Sequence, residues 1–155
     1  MKIAPAPGEV LLQPAGWQVS ASDSATGFGM VDPARALDGN PATRWTVGPD
    51  GQAPGTWFRL DFPEPELVSR VVLDHQGAQP FYVNDYPRGF VAEVSVGGKT
   101  WEQVGAVGGG PMRPAAAVLD PPRAIRSVRF TLTARHTPEW WSIHEVMVFA
   151  PQATP

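Results

Sequence analysis

Cysteine is absent from this chain of 155 residues, and charge is scarce, at 17% of the sequence. Without cysteine, the protein cannot contain a disulfide framework, a thiol nucleophile or a cysteine-ligated zinc site. The net charge is -3 and no basic block occurs, which argues against nucleic acid as a partner. The sequence shows neither a signal peptide nor a run that is apolar and long enough for a transmembrane helix. A domain of this size can fold without disulfides, so an extracellular location remains open.

Proline and glycine are abundant instead, with 18 and 16 residues. This content disfavours long helices and favours short strands joined by turns. The length fits one domain, and the hydrophobic fraction of 43% can fill its core. Because both ends are rich in Pro and Ala, we divide the chain into an N-terminal linker (1–15), a module (16–150) and a C-terminal tail (151–155).

Alternation of apolar and polar residues predicts an all-β fold. Segment 57–62 has an apolar residue at every second position, as a strand with one buried face does. Further strand patterns occur at 70–75, 90–96, 115–119, 127–133 and 143–149. The one helix candidate is 33–37, with Asp32 as N-cap and Pro33 at the first helical position. Many strands with almost no helix indicate an antiparallel sandwich or barrel.

Two carboxylates occupy unusual positions. Asp38 lies in the oxygen-rich loop 35–45, where side chains and inward-turned carbonyl groups could bind a hard cation such as calcium. Alternatively, Asp38 caps a common Asx turn. Glu145 lies in the last strand between apolar alternate neighbours, where a buried carboxylate needs a partner or a metal ion. Alternatively, that strand is an edge and Glu145 faces water. One ion near both carboxylates would explain both positions.

Five runs of sequence occur in a recognisable order: 36–45 (ALDGNPATRW), 57–62 (WFRLDF), 85–101 (beginning DYPRGF), 128–130 (VRF) and 140–145 (WWSIHE). Together they resemble the discoidin domain, also called the coagulation factor V/VIII type C domain, and most of all the family 32 carbohydrate-binding modules. The resemblance spans about residues 17–149. It implies an eight-stranded antiparallel jelly-roll β-sandwich of the galactose-binding-like type.

The resemblance also implies a structural calcium ion (Ca²⁺). The ligands that it implies by position are the carbonyl groups of Arg35, Asn40, Thr43 and His144, the hydroxyl of Thr43, and the carboxylates of Asp38 and Glu145. The two carboxylates are the residues that the sequence singles out without the resemblance.

In this family the ligand binds in loops at one end of the sandwich. A sugar site needs an aromatic face and planar polar groups that bind hydroxyls in pairs, and the long loop 75–88 supplies both. We expect Asp85 and Arg88 to contact the sugar, followed by three other residues of this loop: His75, Tyr82 and Asn84. Alternatively, Asp85 and Arg88 form a salt bridge that pins the loop, and His75 is a surface residue at a strand end.

Adjacent tryptophans lie in the loop 135–141. Neighbours in a strand point in opposite directions, so at most one of Trp140 and Trp141 belongs readily to the core. We expect Trp140 to be the exposed stacking platform and Trp141 to be packed. Trp45 and Trp101 lie at core positions of the family, and we interpret both as structural.

A third loop, 22–32, carries apolar residues at 28–31. Coagulation members of the family insert such tips into membranes, but anionic lipid would require cationic neighbours, and this segment has none before Arg35. The loop could instead wall the sugar site or pack on a parent enzyme.

These observations predict a non-catalytic carbohydrate-binding module with a structural calcium ion. We interpret it as a monomeric part of a larger extracellular or cell-surface protein, such as a glycoside hydrolase. A discoidin-type domain for contact with a protein or a lipid is the alternative, although membrane binding is not expected. No nucleophile–base pair or Gly-rich phosphate loop supports an enzyme.

Overall fold

The alternating segments form antiparallel strands in a computed structural model, which describes residues 3–25, 31–48 and 50–153. Nine strands are described: β1 (Glu9–Leu11), β2 (Gln18–Ala21), β3 (Trp45–Val47), β4 (Trp57–Asp74), β5 (Phe90–Ser95), β6 (Glu102–Val107), β7 (Ala115–Leu132), β8 (Trp141–Ile143) and β9 (Glu145–Pro151). Two 3₁₀ turns, Pro33–Leu37 and Pro80–Tyr82, are the helical elements of these ranges. Within the described residues, no helix has the length and apolarity that crossing a membrane requires.

The long strands β4 and β7 form the central ribbon of the fold. They pair from Trp57 opposite Thr131 to Leu73 opposite Ala115, with register shifts between 61 and 66 and between 68 and 70 of β4. The Pro-Glu-Pro at 63–65 and the Pro-Pro at 121–122 both fall in these shifts, where no ladder hydrogen bond is required. The sequence therefore predicted two pairs of shorter strands, because the prolines resemble breaks, whereas the structure has two continuous bent strands.

Most other strands assemble on this ribbon. The larger sheet has the order β1-β9-β4-β7-β5-β6, with β2 paired to β4, and β6 paired to both β5 and β7. A small second sheet pairs β3 with β8. Both halves of β4 line one hydrophobic core, Phe58 and Leu60 from the first half and Val71 and Leu73 from the second. The fold is thus all-β and antiparallel, as predicted. The described residues form nine strands where the resemblance implied eight, and three of the nine have only three residues.

Tryptophans occupy two different environments. Trp45 and Trp141 are fully buried with ring centroids 5.0 Å apart, which confirms the structural role of Trp45 and the packed position of Trp141. Trp101 differs from the expectation of a core residue, because it is partly exposed. Its ring is covered by the guanidinium groups of Arg59 at 4.9 Å and Arg129 at 4.1 Å. Trp101 therefore packs through cation–π contacts outside the core.

The N-terminal segment is attached to the sheet. Strand β1 pairs Glu9 with Pro151 and Leu11 with Phe149, so part of the expected linker and the first residue of the expected tail belong to the sheet. Glu9 also forms an ion pair with Arg70 at 2.8 Å. Three residues that pair through their backbone are too few to show a period of two, which is why composition alone suggested a linker here.

The predicted short helix is present as a 3₁₀ turn. The turn Pro33–Leu37 begins at Asp32, whose Oδ1 accepts a hydrogen bond from the amide of Ala34 at 2.8 Å. Proline occupies the first turn, as predicted. In the preceding loop, residues 26–30 lie outside the described residues, and with them most of the apolar tip singled out in the sequence.

Removing a core ring from the ribbon should reveal how much stability the ribbon provides. Phe130 of β7 is 2% exposed, so Phe130→Ala should lower the free energy of unfolding by about 3–5 kcal/mol in urea denaturation. Val107→Ala, in the neighbouring strand β6 at a side chain that is 50% exposed, should change it by less than about 1 kcal/mol. Equal losses for the two variants would contradict the assignment of the core.

Candidate functional site

Three loops meet at one end of the sandwich, and we call this the loop end. Strand β4 begins with Trp57 opposite Thr131, and β5 begins with Phe90 opposite Leu132. The loops 48–56, 75–89 and 133–140 join these strands at those positions. The sequence prediction that loops 75–88 and 135–141 share one end of the fold is therefore consistent with the strand register.

One buried side chain holds these loops together. Gln52 is 1% exposed, and its Nε2 donates hydrogen bonds to the carbonyl oxygens of Tyr86 at 2.8 Å and Trp140 at 3.2 Å. Its Oε1 accepts from the amide of Arg88 at 3.0 Å. The backbone of Gln52 also exchanges two hydrogen bonds with that of His136, at 2.6 and 3.1 Å. Sequence reasoning missed Gln52, since a lone glutamine in a Gly- and Pro-rich loop carries no pattern.

The residue before Gln52 must be glycine. Gly51 has φ +87°, a conformation that side chains disfavour, and a Cβ there would approach the carbonyl oxygen of His136 to 2.3 Å. The close approach of loops 48–56 and 133–140 thus depends on the missing side chain.

Asp85 and Arg88 are anchored separately. Asp85 accepts a hydrogen bond from Ser142 Oγ at 2.6 Å, and burial raises its pKa against the opposing effects of this bond and of the positive charges of Arg44 and Arg88. Among the described residues, the carboxylate that pairs with Arg88 is Glu139, at 3.8 Å. The expected alternative, a salt bridge from Asp85 to Arg88, is therefore not what pins the loop.

Arg88 is held tightly on its own loop. Its guanidinium lies 3.6 Å from the ring centre of Tyr86, and Nη1 donates to the carbonyl oxygens of Asn84 at 2.8 Å and Tyr86 at 2.5 Å. The side chain is 17% exposed, so part of the guanidinium faces solvent in a fixed orientation. A preorganised cation with planar donors suits recognition of hydroxyl pairs.

His75 is interior, and this corrects both expectations for it. The ring is 1% exposed, and Nε2 lies 3.2 Å from the carbonyl oxygens of both Val83 and Pro111. Burial lowers the pKa of His75. A residue in this position supports the loop from below and neither contacts a ligand directly nor faces solvent at a strand end. The last four residues of β4, directly before His75, are all buried, and the alternation in the sequence did not predict this.

The other expected ligand residues lie nearer the surface. Asn84 is exposed, and Tyr82 is partly buried, with its hydroxyl accepting from Arg44 Nη1 at 2.9 Å. Trp141 is in the core, as predicted, whereas Trp140 is partly buried and therefore less exposed than expected.

The structure adds an aromatic residue that the sequence prediction left out. Phe81 is 82% exposed, and its ring meets the ring of Tyr82 edge-on at 5.1 Å. The sequence signal that could have identified Phe81 is its position directly after Pro80 in a long loop. Because a large apolar side chain gains nothing from exposure in the free protein, Phe81 is a candidate contact for a ligand.

The expected metal loop is an Asx turn. Asp38 accepts hydrogen bonds from the amide of Asn40 at 2.9 Å and from the hydroxyl of Thr43, and its carboxylate lies 3.8 Å from Arg35. The amide and the hydroxyl of Thr43 both lie 3.1 Å from the carbonyl oxygen of Asn40. Oxygen atoms of Asp38, Asn40 and Thr43 are thus gathered within one turn.

Glu145 reaches the same place from β9. It lies opposite Asp74 in the ladder. Burial raises the pKa of Glu145 to about 7, and the negative charges of Asp38 and Asp74 contribute further. Its Oε1 is buried without a hydrogen-bond partner. The structure therefore brings Asp38 and Glu145 together, as the sequence predicted, and leaves one oxygen of the Glu145 carboxylate without a hydrogen-bond partner.

His144 contacts Asp74, which lies beside Glu145, through its backbone. Its amide donates to the carbonyl oxygen of Asp74 at 2.7 Å, and its ring is buried against Tyr82, with centroids 5.1 Å apart. Burial lowers the pKa of His144 to about 4, so the ring is neutral at physiological pH. In the described ranges, no three His, Asp or Glu side chains are placed as a ligand set. A cation here would therefore depend largely on carbonyl and hydroxyl oxygens, with Asp38 and Glu145 as its charged ligands, and the oxygen-rich donor set suits calcium.

A cavity of about 600 Å³ opens beside these carboxylates. Asp38, Asp74 and Glu145 form its acidic side, and Leu11, Leu12 and Met147 belong to its apolar side. The N-terminal segment thus lies along the same region of the molecule as the expected metal site.

The family profile named F5/8 type C domain matches residues 18–146. The chain belongs to the F5/8 type C, or discoidin, domain family. It matches no curated protein sequence at a significant level. This assignment confirms the family that five short runs of the sequence had suggested.

Several solved structures share the fold. A family 32 carbohydrate-binding module of C. perfringens NanJ, solved in complex with galactose, has a TM-score of 0.71 and 16% identity over 91% of this chain and 98% of that one. An F5/8 type C domain from Bacteroides fragilis has 0.70 and 17% over 96% and 100%. Chitosan-binding module 1 of a chitosanase/glucanase from Paenibacillus sp. IK-5 has 0.66 and 25% over 84% and 92%. The fold of this discoidin domain is thus a galactose-binding-like β-sandwich.

Replacing Gln52 should loosen the loop end without disturbing the core. Gln52→Leu keeps the approximate volume but leaves the carbonyl oxygens of Tyr86 and Trp140 and the amide of Arg88 without their partner. We expect the free energy of unfolding to fall by about 2 kcal/mol and the Arg88 amide to exchange hydrogen faster. Gln103→Leu, at an exposed position of β6, is the matched control. Unchanged protection of the Arg88 amide would show that Gln52 does not hold the loops.

Proposed function

We propose that this discoidin domain is a non-catalytic carbohydrate-binding module whose sugar site is the loop end. The observation that carries the proposal is the combination of aromatic and polar side chains on loops that Gln52 fixes in place. Phe81 and Trp140 offer aromatic faces, and Arg88 and Asn84 offer donors and acceptors. Sugar recognition needs this combination, because the apolar face of a pyranose stacks on a ring while its hydroxyls are bound in pairs.

Preorganisation gives such a site its affinity. Arg88 is oriented by Tyr86 and Asn84, and Asp85 is oriented by Ser142, so little conformational entropy is lost when a sugar binds. In this proposal Arg88, Asn84 and Trp140 contact the sugar, Phe81 is added as a second platform, and Tyr82 borders the site. His75 acts from beneath the loop. Asp85 fixes the loop through Ser142 and contributes a partly exposed carboxylate.

Two of the solved structures support carbohydrate as the class of ligand. The C. perfringens module was solved with galactose, and the Paenibacillus module is described as chitosan-binding and derived from a chitosanase/glucanase. By analogy, this domain accompanies a glycan-active enzyme or another extracellular or cell-surface protein and acts there as a monomeric module.

We further propose that a structural calcium ion lies between the Asp38 turn and Glu145. The carboxylates of Asp38 and Glu145 would neutralise the ion, and carbonyl oxygens of Arg35, Asn40, Thr43 and His144 with the Thr43 hydroxyl would complete its coordination. The unpartnered Oε1 of Glu145 and the accumulation of negative charge at Asp38, Asp74 and Glu145 support this proposal. Such an ion would tie β9 to the turn after Pro33–Leu37.

Aromatic truncation should separate sugar binding from folding. Trp140→Ala should abolish retention on the glycan that binds the native protein, and Phe81→Ala should weaken it by about tenfold, since stacking of one ring is worth roughly 0.5–1.5 kcal/mol or more. Leu67→Ala, at a side chain that is 49% exposed on β4, is the matched control and should bind normally. A glycan array together with affinity gels provides the measurement. If no glycan is retained while a protein or a liposome is, the proposed function is wrong.

Calcium should stabilise the folded state. Adding calcium to chelator-treated protein should raise the melting temperature by several degrees, because an ion that binds the native state alone stabilises it by mass action. Glu145→Gln should remove most of this increase, whereas Glu102→Gln, at an exposed glutamate of β6, should leave it unchanged. If calcium raises the melting temperature of Glu145→Gln as much as that of the native protein, the assigned ligand set is refuted.

A further inference from the structure

A second polar cavity lies at the end of the sandwich opposite the loop end. Strand β5 starts at the loop end with Phe90 opposite Leu132 and finishes with Ser95 opposite Ser127. The turn at 97–99 therefore lies at the far end. This cavity has a volume of about 820 Å³, and Arg59, Asp61, Lys99 and Arg126 are its charged residues. We call it the basic pocket.

The basic pocket contains three positively charged side chains and one carboxylate, that of Asp61. Asp61 is already engaged. Its Oδ1 accepts from Arg59 Nε at 3.0 Å, from Arg59 Nη2 at 2.8 Å and from Ser127 Oγ at 2.5 Å, and its Oδ2 accepts from Arg59 Nε at 2.9 Å. Lys99 and Arg126 are exposed, and within the described part of the chain neither takes part in an ion pair. Two positive charges thus face the pocket without a counter-charge.

Contacts with neighbouring residues hold parts of the pocket in place. Arg59 lies over Trp101, whose ring also meets Arg129, and Arg129 in turn pairs with Glu93 at 3.1 Å. The turn that carries Lys99 is fixed as well, because the amide of Gly98 donates to Ser95 Oγ at 2.7 Å. Arg59 and the turn that carries Lys99 are thus held by contacts, and two unneutralised cations beside them favour binding of an anion.

The lining of the pocket adds groups that suit a sugar ring. Gln18 is an exposed amide that can bind hydroxyls, and Pro63 is an exposed apolar surface. The volume exceeds that of a single monosaccharide. Since the chain as a whole carries a net charge of -3, this local excess of positive charge is not a general property of its surface.

We propose that the basic pocket binds a saccharide residue that carries a carboxylate or a sulfate ester, through Lys99 and Arg126. This inference rests on the proposed carbohydrate-binding function and adds a second, charge-selective subsite to it. A glycan chain that contacts the loop end of one molecule could be held at the far end of another, so the two ends would recognise different features of one acidic polysaccharide.

The test compares three oligosaccharides of equal length by calorimetry and by NMR of the isotope-labelled protein. They are a neutral galactose oligomer, a galacturonic acid oligomer and a sulfated galactose oligomer. We expect the acidic ligands to shift the amides of Gly98, Lys99 and Ser127, and their affinity to fall as salt is raised. The double variant Lys99→Gln/Arg126→Gln should bind them about tenfold more weakly, with neutral binding unchanged. Comparing the two acidic ligands tells whether carboxylate or sulfate is preferred.

Arg113→Gln is the control for net charge, because Arg113 is exposed and lies outside the basic pocket. It removes one positive charge and is therefore also compared with Lys99→Gln and Arg126→Gln as single variants. If it weakens acidic binding as much as the double variant does, the effect is one of net charge and the subsite is refuted.

If Trp140→Ala abolishes acidic binding while the double variant does not, the subsite is likewise refuted but the proposed sugar site at the loop end is supported. Loss of acidic binding in the double variant alone supports the subsite whatever the loop end binds. A native protein that binds none of the three ligands overturns the subsite, and the glycan array then decides the proposed function separately.

Discussion

The ladder between β4 and β7 is the interaction on which the other parts of this domain depend. Both strands run for 18 residues, and their pairing continues through two register shifts that let the ribbon bend. Because the ribbon bends, its two halves line one core, which contains residues as far apart as Phe58 and Leu73. The pairing also positions β2, β5, β6 and β9, because each of these strands attaches to β4 or β7.

Charge is distributed unevenly over this frame. Near β9 the carboxylates of Asp38, Asp74 and Glu145 accumulate, and the burial of Glu145 raises its pKa to about 7. At the far end, Lys99 and Arg126 are in excess over the one carboxylate, Asp61, that lines the same pocket. At the loop end, Arg88 lies 3.8 Å from Glu139, so these two opposite charges offset each other. A cation, an acidic group and a neutral sugar would therefore each find a different part of the surface.

Much of the fold could be predicted because the long strands bury alternate residues. The pattern Phe58, Leu60 and Phe62 shows this directly, and so does the cap of Asp32 on Pro33–Leu37. The convergence of Asp38 and Glu145 was predictable as well, since each carboxylate is conspicuous in its local sequence. Burial that depends on tertiary contacts was not predictable. The distant backbone of Pro111 contacts His75, and backbone atoms of two other loops surround the side-chain amide of Gln52. Trp101 escaped prediction because Arg59 and Arg129 cover it from other strands.

The contacts of Gln52 also affect how readily the loop end can change its specificity. Its amide group binds backbone atoms alone, namely the carbonyl oxygens of Tyr86 and Trp140 and the amide of Arg88. The side chains at those positions can therefore be exchanged while the anchor that orders the loops is retained. Directed evolution of this domain toward new glycans can accordingly randomise the exposed side chains of the loops, provided that Gln52 and Gly51 are kept.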